Sequence, residues 1–101
     1  MASAPFTHRF SWDPQKAEAN RRKHGVSFED AATVLADPLA LTVYDAEHSE
    51  ADERWVTVGQ AVNGELLVVS HTFEELNLRE AAVRFISARP ATASERGSYE
   101  R

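Results

Sequence analysis

The chain has 101 residues, 43% of them hydrophobic, which suits one compact domain with a real core. It has no cysteine, so a disulfide framework and a thiolate metal site are excluded and a reducing cytoplasm is the natural setting. The formal net charge of −5 argues against non-specific nucleic-acid binding, which runs on Lys and Arg displacing counterions; any RNA contact must be local.

No apolar run is long enough to span a bilayer, and MASAPFTHRF lacks the apolar core of a secretory signal. Phe10 and Trp12 alternate with polar neighbours and predict a short first strand. Asp13 is placed to cap a helix, with Pro14 at the first helical position, where its missing N–H costs nothing. That helix runs through QKAEANRRKH and stops at Gly25; Arg21, Arg22, Lys23 and His24 sit against the negative end of its dipole. A second helix follows, capped by Ser27, with Phe28, Ala31, Ala32 and Leu35 on one apolar face and Asp37-Pro38 at its end.

The remainder reads mostly as sheet. Leu39 to Tyr44 is a β-rich run. Arg54 to Val62 alternates, Val56 and Val58 opposing Trp55 and Thr57. Asn63-Gly64 predicts a hairpin with a type I′ turn, and Leu66 to Phe73 returns from it as a central strand. Glu74 to Ala82 is expected as a loop, tethered by Leu76 and Leu78 or free to act as a flap. Val83 to Arg89 is the last strand. Thr92 and Glu95 then form a capping box for a closing helix. The expected fold is α+β: two N-terminal helices and a C-terminal helix packed on an antiparallel sheet of four to five strands.

Two guanidiniums, Arg84 and Arg89, leave the last strand. Arg suits phosphate because its planar fork holds two oxygens at once and keeps its charge. Strict alternation sends them to opposite faces, so they serve one site only if a bulge or the strand end at Pro90 redirects one. His24 shares a helix face with Ala17 and Asn20 and is either a structural histidine bonded to a carbonyl or a general base or phosphate donor. His71 alternates with Leu67, Val69 and Phe73, which favours a structural role. Trp55 either packs in the core or stacks a base beside Arg54. Tyr99 either pins the closing helix or presents its hydroxyl to a scissile phosphate. Asp45 to Glu53 holds five carboxylates and His48 without the glycine of a calcium loop, and reads as a solvated acidic turn with no metal or other cofactor.

The ordered set FSWDPQKAEANRRKHGVSFEDAATVLADP, ERWVTVG, LLVVSHT and RFISARPATASER resembles the BrnT family of type II toxins. The resemblance implies a RelE-like fold and a cytoplasmic endoribonuclease that cleaves RNA without metal and inhibits translation. It implies a BrnA-like ribbon-helix-helix antitoxin as partner, contact with operator DNA only through that antitoxin, no membrane, and a dimer within the toxin–antitoxin assembly. Carried onto this chain, the family motifs mark Lys23 and His24 in KHG, Glu53 and Arg54 in ERW, and Arg84 and Arg89 in RFISAR. Such cleavage needs a base for the 2′-hydroxyl, cations for the phosphorane and an acid for the leaving oxygen. The implied catalytic set is His24, Glu53, Arg54, Arg84 and Arg89; the implied RNA-binding set is Lys23, Arg54, Arg84, Arg89 and Tyr99. Pro90 stands where the family commonly carries a basic residue, the final helix is less basic, and the Glu74 to Ala82 segment is longer and more acidic. These departures admit an alternative: a catalytically weak or inactive toxin fold acting as antitoxin partner and co-repressor.

Overall fold

The computed structural model describes residues 7–49 and 52–100. Residues 1–6, which carry part of the leader reading, and Glu50 and Ala51 of the acidic turn lie outside the described residues. The elements in order are β1 (Thr7–Ser11), α1 (Pro14–His24), α2 (Phe28–Val34), β2 (Leu41–Tyr44), β3 (Arg54–Gln60), β4 (Leu66–Thr72), β5 (Glu74–Glu75), β6 (Glu80–Pro90) and α3 (Ala93–Tyr99), with a 3-10 turn at Ala46–His48.

The helices start where the sequence places caps. Asp13 accepts from the Gln15 N–H, Ser27 accepts from the Asp30 N–H, and Thr92 and Glu95 form a reciprocal capping box. Each cap satisfies backbone donors that a first helical turn leaves free. α2 is shorter than its apolar spacing suggests. Beyond Val34 the chain tightens into successive turns, and the Asp37 carboxylate accepts from the N–H groups of Leu39 and Gln60. The Asp-Pro corner thus brackets α2 to the end of β3.

The sheet order is β1-β6-β4-β3-β2, with β5 also beside β6. The α+β expectation holds, with six strands and one parallel pair, β1 with β6. A parallel pair needs a long crossover between its strands, and the helix pair plus the β2–β4 meander supplies it. β6 belongs to two ladders. Its first half pairs with β1 and β5, and its second half pairs with β4. Between them the register shifts: Ser70 faces Ser87 but His71 faces Phe85, leaving Ile86 unopposed in a bulge. Burial follows the shift, running Ala81, Val83, Phe85 and then Ala88. Arg84 and Arg89 therefore both lie on the face away from the α1–α2 pair, the bulge having redirected one of them.

Two connections differ from the sequence reading. Glu74 to Ala82 is a short hairpin: β5 pairs with β6, and the Asn77 side chain closes the turn by accepting from the N–H groups of Arg79 and Glu80. The Asn63-Gly64 hairpin exists, but its turn is not type I′, because only Gly64 has a positive φ (91°). Gly64 N–H donates to the Ala61 carbonyl and Ala61 N–H donates to the Glu65 carbonyl. This is a three-residue loop closed by a left-handed glycine. Asn63 stays in ordinary space because its side chain accepts from the Glu65 N–H.

The core lies between the helix pair and the sheet. Phe28, Ala31 and Val34 from α2 meet Leu67, Val69, Val83, Phe85 and Ala88. The rings of Trp12, Phe28 and Phe85 form a triangle with centroids within 6.0 Å, a spacing that favours tilted and edge-on aromatic contact. α1 buries a single residue, Asn20.

Candidate functional site: a hollow where the sheet bends

Beside the bulge, β4 and the first half of β6 part, and the opening is the mouth of a hollow of about 1030 Å³. Trp55, His71, Thr72 and Arg84 line it from three neighbouring strands, Ser11 closes it from β1, and Thr42 reaches it from β2. Four carboxylates, Asp52, Glu53, Glu74 and Glu75, complete the wall. Arg84 is the one cation in that wall among the described residues.

Arg84 is fixed at both ends. Its guanidinium Nη2 lies 3.0 Å from Asp52 Oδ2, and its backbone N–H donates to Thr72 Oγ1 at 3.1 Å. Thr72 in turn faces Arg54 across the β3–β4 ladder. Arg54 and Arg84 therefore flank Thr72 on the two strands beside β4, although Arg54 is not among the residues that line the hollow. Arg54 Nε and Trp55 Nε1 are buried without a partner among the described residues. Tyr44 packs edge-on against Trp55 with ring centroids 5.1 Å apart, holding the indole as one wall of the hollow.

His71 is 2% exposed. Its Nδ1 lies 2.9 Å from the Thr72 carbonyl, its Nε2 lies 2.7 Å from Thr57 Oγ1, and Thr57 lies 2.8 Å from Thr42 Oγ1. A carbonyl only accepts, so Nδ1 carries the proton in the neutral ring, Nε2 accepts from Thr57, and Thr57 accepts from Thr42. Burial pulls the His71 pKa below the ordinary histidine value against the opposing pull of the Thr72 carbonyl. The ring is neutral at pH 7, with both nitrogens engaged.

The other predicted residues stand off the hollow. Arg89 makes a two-pronged pair with Glu95, both contacts 2.8 Å, which ties β6 to α3. Arg89 holds the Glu95 carboxyl down to about 2. Tyr99 donates its hydroxyl to Asp37 and so locks α3 to the α2–β2 corner, the pinning role of the two considered. Lys23 is exposed and His24 half-buried at the end of α1, and neither lines the hollow. The sequence reading had no role in the site for Asp52, Thr72, Glu74 or Glu75. Asp52 sat inside an acidic run whose composition signals only solvation, and the two glutamates sat in what looked like a loop.

No helix among the described residues is long and apolar enough to cross a membrane. Its structure resembles the crystal structure of the Brucella abortus ribonuclease toxin, BrnT, with a TM-score of 0.60 and 26% sequence identity over 85% of this chain and 99% of that one. No curated protein matches the chain. The molecule is thus of the class of small α+β toxins that a solved ribonuclease toxin exemplifies. The family model described as "Ribonuclease toxin, BrnT, of type II toxin-antitoxin system" matches residues 12–95, and the chain belongs to that BrnT family.

Proposed function

We propose that this chain is a metal-independent endoribonuclease of the cytoplasm that inhibits translation and is silenced by a BrnA-like ribbon-helix-helix antitoxin, through which alone it contacts operator DNA. Its carrying observation is that Arg84 and Glu53 both line the hollow, with Arg54 across Thr72, two strands from Arg84. In this reading a phosphate of the RNA displaces Asp52 from Arg84. Arg84 and Arg54 hold the charge that builds on the non-bridging oxygens as the 2′-oxygen attacks and the P–O5′ bond breaks, the leaving oxygen taking a proton from water. Glu53, exposed at the rim, takes the 2′-hydroxyl proton. Lys23 and His24 serve the strand beyond the scissile linkage. Arg89 and Tyr99 reach RNA only if their pairs with Glu95 and Asp37 open.

The test is inducible expression of the chain alone beside Arg84→Ala, followed by incubation of the purified proteins with RNA in EDTA. Growth arrest and EDTA-resistant cleavage that both need Arg84 support the reading. Cleavage that EDTA removes would refute the metal-independent chemistry.

A second reading has its own observation. Four carboxylates against one arginine make the hollow a poor home for a polyanion. A toxin fold that retains only antitoxin binding predicts indifferent growth, no RNA cleavage, and intact complex formation by both the wild type and Arg84→Ala.

A further inference from the structure

The ladder between β4 and β6 loses a rung at the mouth of the hollow. The Leu66 carbonyl accepts from Ala91 N–H, so the even-numbered residues of β4 direct their backbone groups toward β6. Thr72 is the next such residue after Ser70. The bulge at Ile86 brings Arg84 opposite it, yet the paired register ends at His71 and Phe85. In place of the rung, two substitute bonds form. The Thr72 carbonyl accepts from the His71 ring, and the Arg84 N–H donates to the Thr72 hydroxyl.

From this exchange we propose that His71 is a positioning residue for Arg84. Its imidazole occupies the carbonyl that would otherwise draw in the Arg84 backbone, so β4 and β6 stay apart and the hydroxyl of Thr72 sets where Arg84 leaves the strand. Thr57 and Thr42 hold the ring from behind through a chain of hydroxyls that crosses two further strands. The ring itself contributes no proton to the reaction, since both nitrogens are engaged and the side chain is 2% exposed. The functional part of this inference rests on the ribonuclease reading above, because the guanidinium so placed is the one assigned to the scissile phosphate.

Two substitutions separate the two nitrogens. In His71→Asn the side-chain amide stands near Nδ1 and still reaches the Thr72 carbonyl. In His71→Gln it stands near Nε2 and reaches only Thr57. A second pair, Thr72→Ser and Thr72→Val, keeps or removes the hydroxyl at a half-buried position. Each variant is measured for melting temperature, hydrogen exchange of the Arg84 amide, binding of inorganic phosphate, and the kcat and KM of RNA cleavage.

The expected result is that His71→Asn and Thr72→Ser keep slow Arg84 exchange and near-wild-type kinetics. His71→Gln and Thr72→Val should exchange Arg84 rapidly and lose on the order of 100-fold in kcat/KM, the cost of misplacing a catalytic group by about an ångström. Equal behaviour of His71→Asn and His71→Gln, or loss of cleavage that tracks melting temperature alone, overturns the proposal. If the wild type cleaves nothing, the ribonuclease reading fails on its own. Exchange and phosphate binding then still decide whether His71 places Arg84.

Discussion

Asn20 of α1 is hydrogen-bonded in both directions to the backbone of Ala88 on β6: its Nδ2 donates to the Ala88 carbonyl at 2.9 Å and its Oδ1 accepts from the Ala88 N–H at 3.0 Å. A side-chain amide here does the work of a neighbouring strand. β1 pairs with β6 only as far as Arg84, so beyond the bulge that edge of β6 has no strand beside it, and Asn20 fills the gap. The same Nδ2 also donates to the Val26 carbonyl, closing the corner between α1 and α2. Asn20→Ala is expected to cost about 2–4 kcal/mol, since it leaves a buried N–H and two carbonyls short of partners. Urea unfolding measures this, and a loss under 1 kcal/mol would show that water substitutes freely.

Arg89 and Glu95 join the last strand to the last helix. Glu95 also accepts from the Thr92 N–H, so one carboxylate serves both the cap and the pair. Both side chains are partly exposed, so the coupling expected from a double-mutant cycle with Arg89→Ala and Glu95→Ala is only about 0.5–1 kcal/mol. The pH dependence has a definite sign. The folded pKa lies below the unfolded one, so the stabilisation is complete above the usual carboxylate value of 4.5 and fades as pH falls toward about 2. Acid titrations of wild type and Glu95→Gln should converge in that window, the wild type losing the advantage it holds at higher pH. Parallel curves would contradict the assignment.

Gly59 is a close-approach site. A Cβ there would lie 2.9 Å from Val34 Cγ1 and 3.0 Å from the Ala40 Cβ, both short-armed neighbours that cannot swing aside. Gly59→Ala is expected to destabilise by about 1–3 kcal/mol through overpacking. A calorimetric melting temperature equal to wild type would mean that α2 shifts on the sheet more easily than the packing suggests.

Asp52 competes with phosphate for Arg84. Asp52→Asn removes one member of an exposed pair worth up to about 1 kcal/mol, so phosphate and RNA should bind about 2–5-fold more tightly. The gain should shrink as salt rises. Equilibrium binding at two ionic strengths checks both, and unchanged affinity at low salt would show that Asp52 does not hold the anion position.

The helices were legible in the sequence because their signals are local. Asp13-Pro14, Ser27, and Thr92 with Glu95 each act within one turn, and all three caps form as read. The site was legible only in part. Residue type pointed to Arg84 and the family resemblance to Glu53, and both line the hollow. Their neighbours did not show, because the hollow is made by a register slip, and a slip has no composition. Arg89 resembles Arg84 in the string and differs from it in space, where Glu95 faces one and Asp52 the other. His71 was rightly placed among core residues by alternation, but its bond to the next residue's carbonyl depends on a lost rung that no periodicity announces. The Glu74 to Ala82 segment looked like a loop because two residues make a strand too short to show a pattern.

The chain along β6 advances in steps of two on either side of Ile86 and takes one step of three across it. Arithmetic, more than chemistry, therefore governs this stretch. Removing one residue there would let plain alternation run through, which keeps Arg84 on its present face and Ala88 toward Asn20 but takes away the bulge beside which the hollow opens. The opening beside β4 therefore depends on how many residues lie between Phe85 and Ala88 as well as on which they are.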